Sequence, residues 1–507
     1  MKNILKIVLL FSLIPLSSCD EELDINTDPN YPPQINSGLA LASAEASLVT
    51  VVGGDLTNLG GFYAQYHTQA PGASQYLSID QYNINVGYAN RLWTELYAGC
   101  LNDLQYVLNE SNRTGDTGTA LIATVLKSYT FQVLVDLFDA VPYEEAFQGL
   151  ENITPAPTPG NVIYPDLIAK IDQALAAYNA NRVASGVGSQ DMIYQANMQD
   201  WIRFANTLKL KLYMRMSYTE LANPAAVNAL IAQNNFITQD ARFTNFGTST
   251  NQRNPFYEVQ LAESGLNDVN NIASNSLHEF YNENNDPRLQ AAYRPNGATN
   301  PVYVSLPQGA GPGLSSVATN YSRPRVFPTT PVYLMTVAES NFLQAEGLIR
   351  YAGGAGAQQK YNQGIIASFV TYQNDFKFVT STGQEITTPA IELAQPFITA
   401  GGRYEYQSGA SVEETVRQVI VQKWASLAYV NNIEAYFETV RTKYPEIVPE
   451  VNADYARGNR IPSRVSVLQG LNVPTILFYP ENEVNRNPNI RQRASLTERV
   501  WWDRKQL

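Results

Sequence analysis

Cysteine and histidine are almost missing from this chain of 507 residues, which has two of each. His67 and His278 stand far apart, and neither falls in a cluster with metal-ligand spacing. That argues against a zinc centre and a histidine-based nucleophilic triad. Cys100 sits on an apolar helical face, where a thiol is expected to be buried and inert. Basic residues are also short: 34 Lys and Arg face 46 Asp and Glu, a net charge of −12. Nucleic-acid binders need clustered Lys and Arg, so this balance argues against DNA or RNA as a partner. It disfavours anionic glycans less firmly, since a local basic patch is compatible with it. Past the first eighteen residues, no apolar run reaches the ~18 residues expected of a membrane helix.

The chain opens with Lys2 and Lys6, an apolar run from Ile7 to Ile14, and Leu16-Ser17-Ser18-Cys19. That order of charge, apolar core and small residues reads as an export signal. Its end resembles a bacterial lipobox, after which Cys19 becomes the acylated first residue. Each buried methylene of such an anchor contributes about 0.8 kcal/mol. With Cys19 acylated, Cys100 has no partner for a disulfide. Asp20-Glu21-Glu22 follow directly and resemble the surface-export signal of Bacteroidetes lipoproteins. The expected division is a signal peptide at 1–18, a lipidated tether at 19–37, acidic and Pro-rich, and one body at 38–507. That body is expected to be soluble and held to the membrane by lipid alone.

The body reads as mainly α-helical. Helical spacing begins at 38–52. Residues 60–90 read as a helix end followed by a long loop. From Arg91, Trp93, Leu96, Tyr97, Cys100, Leu104 and Val107 share one face; Ile122, Val125, Leu126, Tyr129, Val133 and Leu137 share the next. A third helix is expected from Pro165, after a Pro-rich link at 151–164 that reads as non-helical. A fourth starts near Asp200, with Trp201, Phe204, Leu208 and Leu212 inward and Lys209, Lys211 and Arg215 on its other side. Residues 240–330 read as loops around a short helix at about 272–283. Helices resume at Val332 and stop at Gly353-Gly354. Tyr361 to Tyr372 mark the partner helix, 380–412 a polar loop, 416–440 a last pair, and 445–507 mostly loop. Helix pairs of this size resemble tetratricopeptide units.

Several stretches together resemble the SusD/RagB family of surface nutrient-binding lipoproteins, closest to its SusD-like 2 branch. They are Asp136-Leu-Phe-Asp-Ala-Val-Pro-Tyr143, Trp201 to Lys209, Asn285-Asp-Pro-Arg-Leu289, Ala338 to Glu346, Gln422-Lys-Trp424 through Glu434-Ala-Tyr436 to Pro445, Ile461-Pro-Ser-Arg464, Tyr479-Pro-Glu-Asn-Glu483 and Val500-Trp-Trp-Asp503. Two motifs depart from the family pattern: Phe138-Asp-Ala-Val-Pro-Tyr143 where Phe-Gly-Asp-Val-Pro-Tyr is usual, and Val440-Arg-Thr-Lys443 where Arg-Arg-Thr-Gly is common. The resemblance implies a scaffold of four tetratricopeptide-like helix pairs with irregular ligand-binding loops. It also implies a lid over a SusC-like TonB-dependent outer-membrane transporter, capturing oligosaccharides, or in some members peptides, at the cell exterior. No catalytic residue and no cofactor are expected.

Sugar capture needs flat rings beside amides or guanidinium groups. Three loops hold such mixtures: Gln75-Tyr76 with Tyr82-Asn83; Tyr303 through Asn320 and Tyr321 to Arg323; and Arg403-Tyr404-Glu405-Tyr406. Glu346, Lys423, Arg464 and Glu483 read as structural charges, and Trp424, Trp501 and Trp502 as core or partner contacts. Asn267-Asp268 with Asn270 and Asn271 suggests calcium, but lacks regular ligand spacing and reads better as an Asx-rich turn. Two rival classes remain: a surface glycoside hydrolase, which needs two carboxylates across a cleft, and a structural lid without ligand affinity.

Overall fold

The computed structural model describes residues 35–380 and 382–506. Cys19, the export signal and most of the expected tether lie outside the described residues. The first helix, α1 (Ser37–Thr50), is capped by Asn36, whose side chain accepts from the Gly38 N–H at 2.7 Å. It continues through a π-helical turn, Val51–Asp55, into α2 (Leu56–Tyr63). The scaffold then runs through α3 (Asn102–Thr114), α4 (Thr117–Phe138), α5 (Gly160–Ala180), α6 (Met198–Arg215) and α7 (Pro224–Gln233). After α8 (Asn275–Glu283) come α9 (Val337–Tyr351), α10 (Ala357–Asp375), α11 (Ala390–Ile398), α12 (Val412–Ser426) and α13 (Asn432–Thr442). Neighbours α3–α4, α5–α6, α9–α10 and α12–α13 pack as pairs, an all-α, tetratricopeptide-like frame. α2 lies against α13, so the first and last parts of the frame meet.

Strands are short and serve the loops. Besides a two-residue pair, Val141–Pro142 with Pro157–Thr158, they are β1 (His67–Gln69), β2 (Ala241–Phe243), β3 (Asn271–Ala273), β4 (Tyr293–Arg294), β5 (Arg323–Pro324) and β6 (Val332–Met335). β1 pairs antiparallel with β3, β2 with β6, and β4 with β5.

Four element readings are corrected. α5 begins at Gly160, inside the link read as non-helical, and carries Pro165 in its second turn. Tertiary packing overrides the lost hydrogen bond: Ile163 and Tyr164 are buried, and the Tyr164 hydroxyl donates to Asp136 at 2.5 Å. A Cβ on Gly160 would stand 2.4 Å from the Trp501 ring and 2.6 Å from Val135. Val332–Met335 is strand, and α9 starts only after Thr336, whose hydroxyl caps the Glu339 N–H at 3.1 Å. The polar stretch 380–412 contains α11, because Ala390, Ala394 and Ile398 form a buried stripe at i, i+4, i+8. Two stretches, Ser37–Tyr63 and Thr117–Phe138, are long and apolar enough to cross a membrane. Small residues dilute their sequence signal, and in Thr117–Phe138 89% of the apolar window is buried within the protein.

The largest correction concerns α6. Lys211 and Arg215, read as lying opposite the apolar face, are themselves buried; Lys209 alone reaches the surface, to the exposed Asp172. Lys211 meets Glu339 at 2.7 Å and Glu434 at 3.4 Å. Arg215 meets Asp136 at 3.1 Å, Glu434 at 2.8 Å and Glu438. Lys423 reaches Glu434 at 3.1 Å, while Arg441 grips Glu346 at 2.7 Å and Glu438 at 2.6 Å. Arg350 closes the row on Glu346 at 2.7 Å. Cations and carboxylates balance across α4, α6, α9, α12 and α13. Burial alone would raise the Glu434 carboxyl, but Arg215, Lys211 and Lys423 outweigh it and bring it down to about 2. Glu346 and Lys423 are thus structural, as their context indicated. Trp424, Trp501 and Trp502 are core, and the Trp502 indole N–H donates to Asp136 at 2.8 Å.

Candidate functional site

One buried carboxylate joins two of the three candidate loops. Asp80 follows the 70–76 turn and accepts from the Thr68 hydroxyl at 2.7 Å, the Gln69 N–H at 2.9 Å and the Gln308 side chain at 2.5 Å. Burial pushes its carboxyl up to about 6, against these donors. Thr68 in turn accepts from the Gly309 N–H at 2.9 Å. The 303–321 loop therefore lies directly on β1. A Cβ on Gly311 would stand 2.1 Å from the Gln69 carbonyl, so no other residue allows this approach. Beyond it, Tyr321 and Ser316 share a hydroxyl–hydroxyl bond of 2.9 Å above the Ala70, Ile272 and Ala318 cluster.

Five candidates gather along this junction. Gln75 and Asn320 are exposed, and Tyr76, Tyr321 and Arg323 are half-buried. The Gln260 side chain donates to the Tyr76 hydroxyl at 2.7 Å, and the Tyr76 N–H donates to Gln69 at 2.7 Å. From Tyr321 to Phe327 the chain is extended and burial alternates. Tyr321, Arg323, Arg325 and Phe327 are half-buried, Arg323 with 14% of its side chain exposed, while Ser322, Pro324 and Val326 are buried. Arg323 pairs with Arg294 across the β4–β5 ladder, and both guanidinium groups contact Asp268, Arg323 at 2.7 Å. Arg325 donates to the Phe376 and Lys377 carbonyls at 2.7 and 2.6 Å and lies 5.1 Å over the Phe327 ring. Tyr303, half-buried, stands with its ring 6.5 Å from His278.

The other candidates do not join this surface as exposed rings. Tyr82 is a core residue, 1% exposed, packed 5.8 Å from the Tyr63 ring; its neighbour Asn83 is exposed. Tyr404 and Tyr406 are also buried. Tyr404 stacks on Phe280 at 5.7 Å and donates to Asp286 at 2.7 Å, and Tyr406 lies against Tyr361. The loop looked polar, but its rings pack inward between α8, α10 and α11. Arg403 is exposed and lines a separate hollow of about 240 Å³ with Gln418 and Arg457. None of the lining residues of that hollow belongs to the other two loops. Arg464 forms a surface pair with Glu450 at 2.6 Å, and Glu483 accepts from Asn487 at 3.1 Å. Asn267 and Asp268 both take left-handed turn conformations, and Asp268 is engaged by the arginines.

Sequence reasoning missed Arg294, Arg325 and Phe327. The period-two spacing of Tyr321, Arg323, Arg325 and Phe327 was the available signal. It was hidden by reading 240–330 as loops around a short helix.

The frame has known counterparts. A SusD homologue from Bacteroides uniformis superposes with a TM-score of 0.73 at 22% identity, over 93% of this chain and 100% of its own. A chitin-binding SusD homologue from Flavobacterium johnsoniae gives 0.72 at 20% identity, covering 92% and 98%. A SusD/RagB family protein from Bacteroides thetaiotaomicron gives 0.71 at 19%, covering 93% and 99%. These likenesses define the class as a SusD-type helical fold. In sequence, the SusD-like 2 family, described as "Starch-binding associating with outer membrane", matches residues 29–467. The chain belongs to that family. No curated protein matches it.

Proposed function

We propose that this protein is a non-catalytic cell-surface receptor that captures oligosaccharides and hands them to a TonB-dependent outer-membrane transporter. The observation that carries the reading is the single loop surface seated on β1, where Gln75, Tyr76, Asn320, Tyr321 and Arg323 combine rings, amides and a guanidinium group. Such a surface covers the apolar faces of a sugar and hydrogen-bonds its hydroxyls. The family description and the chitin-binding relative agree with a glycan ligand. Acylation at Cys19 and a tether at 19–37 would hold a body at 38–507 beside its transporter and raise its effective concentration there.

Calorimetric titration with neutral oligosaccharides and short peptides tests the reading. Binding of oligosaccharides is expected, with Tyr76→Ala or Tyr321→Ala weakening it about tenfold. Melting temperatures are expected to stay within about 4 °C, given the partial burial of both rings. Peptide binding alone would move the ligand to the peptide branch. Release of new reducing ends from a glycan would make the protein a hydrolase, and silence across the panel would leave a structural lid.

A further inference from the structure

Charge along the outward strip runs against the charge of the chain. The protein carries a net −12, yet Arg294, Arg323, Arg325 and Lys377 meet here. Two carboxylates face them. Asp268 is shared by Arg294 and Arg323, and Glu385 lies 3.7 Å from Lys377. Among the described residues, no carboxylate oxygen comes within ion-pair distance of Arg325; its near partners are main-chain carbonyls, including Gln290 at 3.2 Å. Those carbonyls hold the guanidinium in place without neutralising it. Burial keeps Arg323 and Arg325 below the ordinary guanidinium value, so both are partly stripped of water.

The spacing is also specific. Arg323 and Arg325 are two residues apart on extended chain, about 6–7 Å along it, with Tyr321 before and Phe327 after. Guanidinium groups take carboxylate and sulfate groups through paired N–H donors, and they attract them more strongly where water is thin. A ring at either end offers a face for the sugar between charges.

We infer that the Tyr321–Phe327 strip, with Arg294, selects acidic oligosaccharides, whose carboxylate or sulfate groups seat on Arg323 and Arg325. The inference rests on the oligosaccharide-binding reading and narrows it. The discriminating experiment is calorimetry on the full mature protein with three probes: an oligogalacturonide, a sulfated glycosaminoglycan fragment and a neutral galacto-oligosaccharide of matched length. One acidic probe is expected to bind at least about tenfold more tightly than the neutral one, with the advantage shrinking as salt is raised. The double substitution Arg323→Gln with Arg325→Gln is expected to erase that ratio. Arg325→Gln alone, which leaves the Asp268 cluster whole, should lower it several-fold. Which acidic probe binds separates carboxylate from sulfate. Neutral probes binding as well as acidic ones, or an acidic preference unchanged in both variants, would overturn the inference and leave the receptor reading standing. Failure of all three probes would overturn both.

Discussion

His67 shows how one side chain ties stability to pH. Its ring lies 4.6 Å edge-on to Phe62 and is fully enclosed, with one nitrogen against the Asn58 carbonyl at 3.1 Å. Burial lowers its pKa from 6.5 to about 3. Below pH 6.5 the unfolded chain takes up a proton that the folded ring refuses, so stability is lost as pH falls from 6.5 towards 3. Asp80 has the opposite sign: raised from 3.8 to about 6, it loses stability as pH rises from 4 to 6. His67→Phe should carry a constant packing cost and remove the first slope. Relative to wild type, the variant should gain about 1.4 kcal/mol for each pH unit of acidification between 6 and 4, read from urea midpoints. An unchanged difference across that range would show that His67 is not held neutral. Gly160 gives a steric counterpart. Gly160→Ala would press a methyl group on Trp501 and Val135, and about 1–3 kcal/mol of destabilisation is expected by thermal melting.

Among elements, α6 explains what local pattern reading sees and misses. Trp201, Phe204, Leu208 and Leu212 are buried, as their spacing indicated. Lys211 and Arg215 were read only as lying opposite the apolar face, because a period reads polarity, not partners. Their carboxylates stand on α4, α9 and α13, up to 223 residues away in the chain. No window over α6 contains that information. Helix pairs and their core faces were legible because each pair closes locally. The strip from Tyr321 was not, because its extended shape depends on β4 and the loop carbonyls it meets. Tyr404 failed for the same reason: its neighbours Phe280 and Phe397 come from two other elements. Lys211→Met should destabilise by about 3–5 kcal/mol, since Glu339 and Glu434 lose a cation while staying buried. Pairing it with Glu339→Leu should restore part of that loss in chemical denaturation.

At the scale of the molecule, the end of the described chain closes the frame. Trp501 and Trp502 are buried, Trp501 against Tyr164 at 5.2 Å, and Asp503 meets Lys443 at 2.6 Å. An aromatic side chain buries about 150–250 Å², worth roughly 4–6 kcal/mol at 25 cal/mol per Å². Truncation after Arg499 should therefore abolish the cooperative melting transition rather than trim it. A shortened chain that still melts sharply would show that the frame is closed elsewhere.

The alternation between Tyr321 and Phe327 has a consequence for descent. Ser322, Pro324 and Val326 seat the stretch, while the four positions between and beside them are only half-buried and make few apolar core contacts. Under the acidic-oligosaccharide reading, a change of ligand then takes a handful of codons and no new architecture. A one-residue insertion does the reverse, turning the seating residues to the water and moving all four of the outer side chains at a stroke.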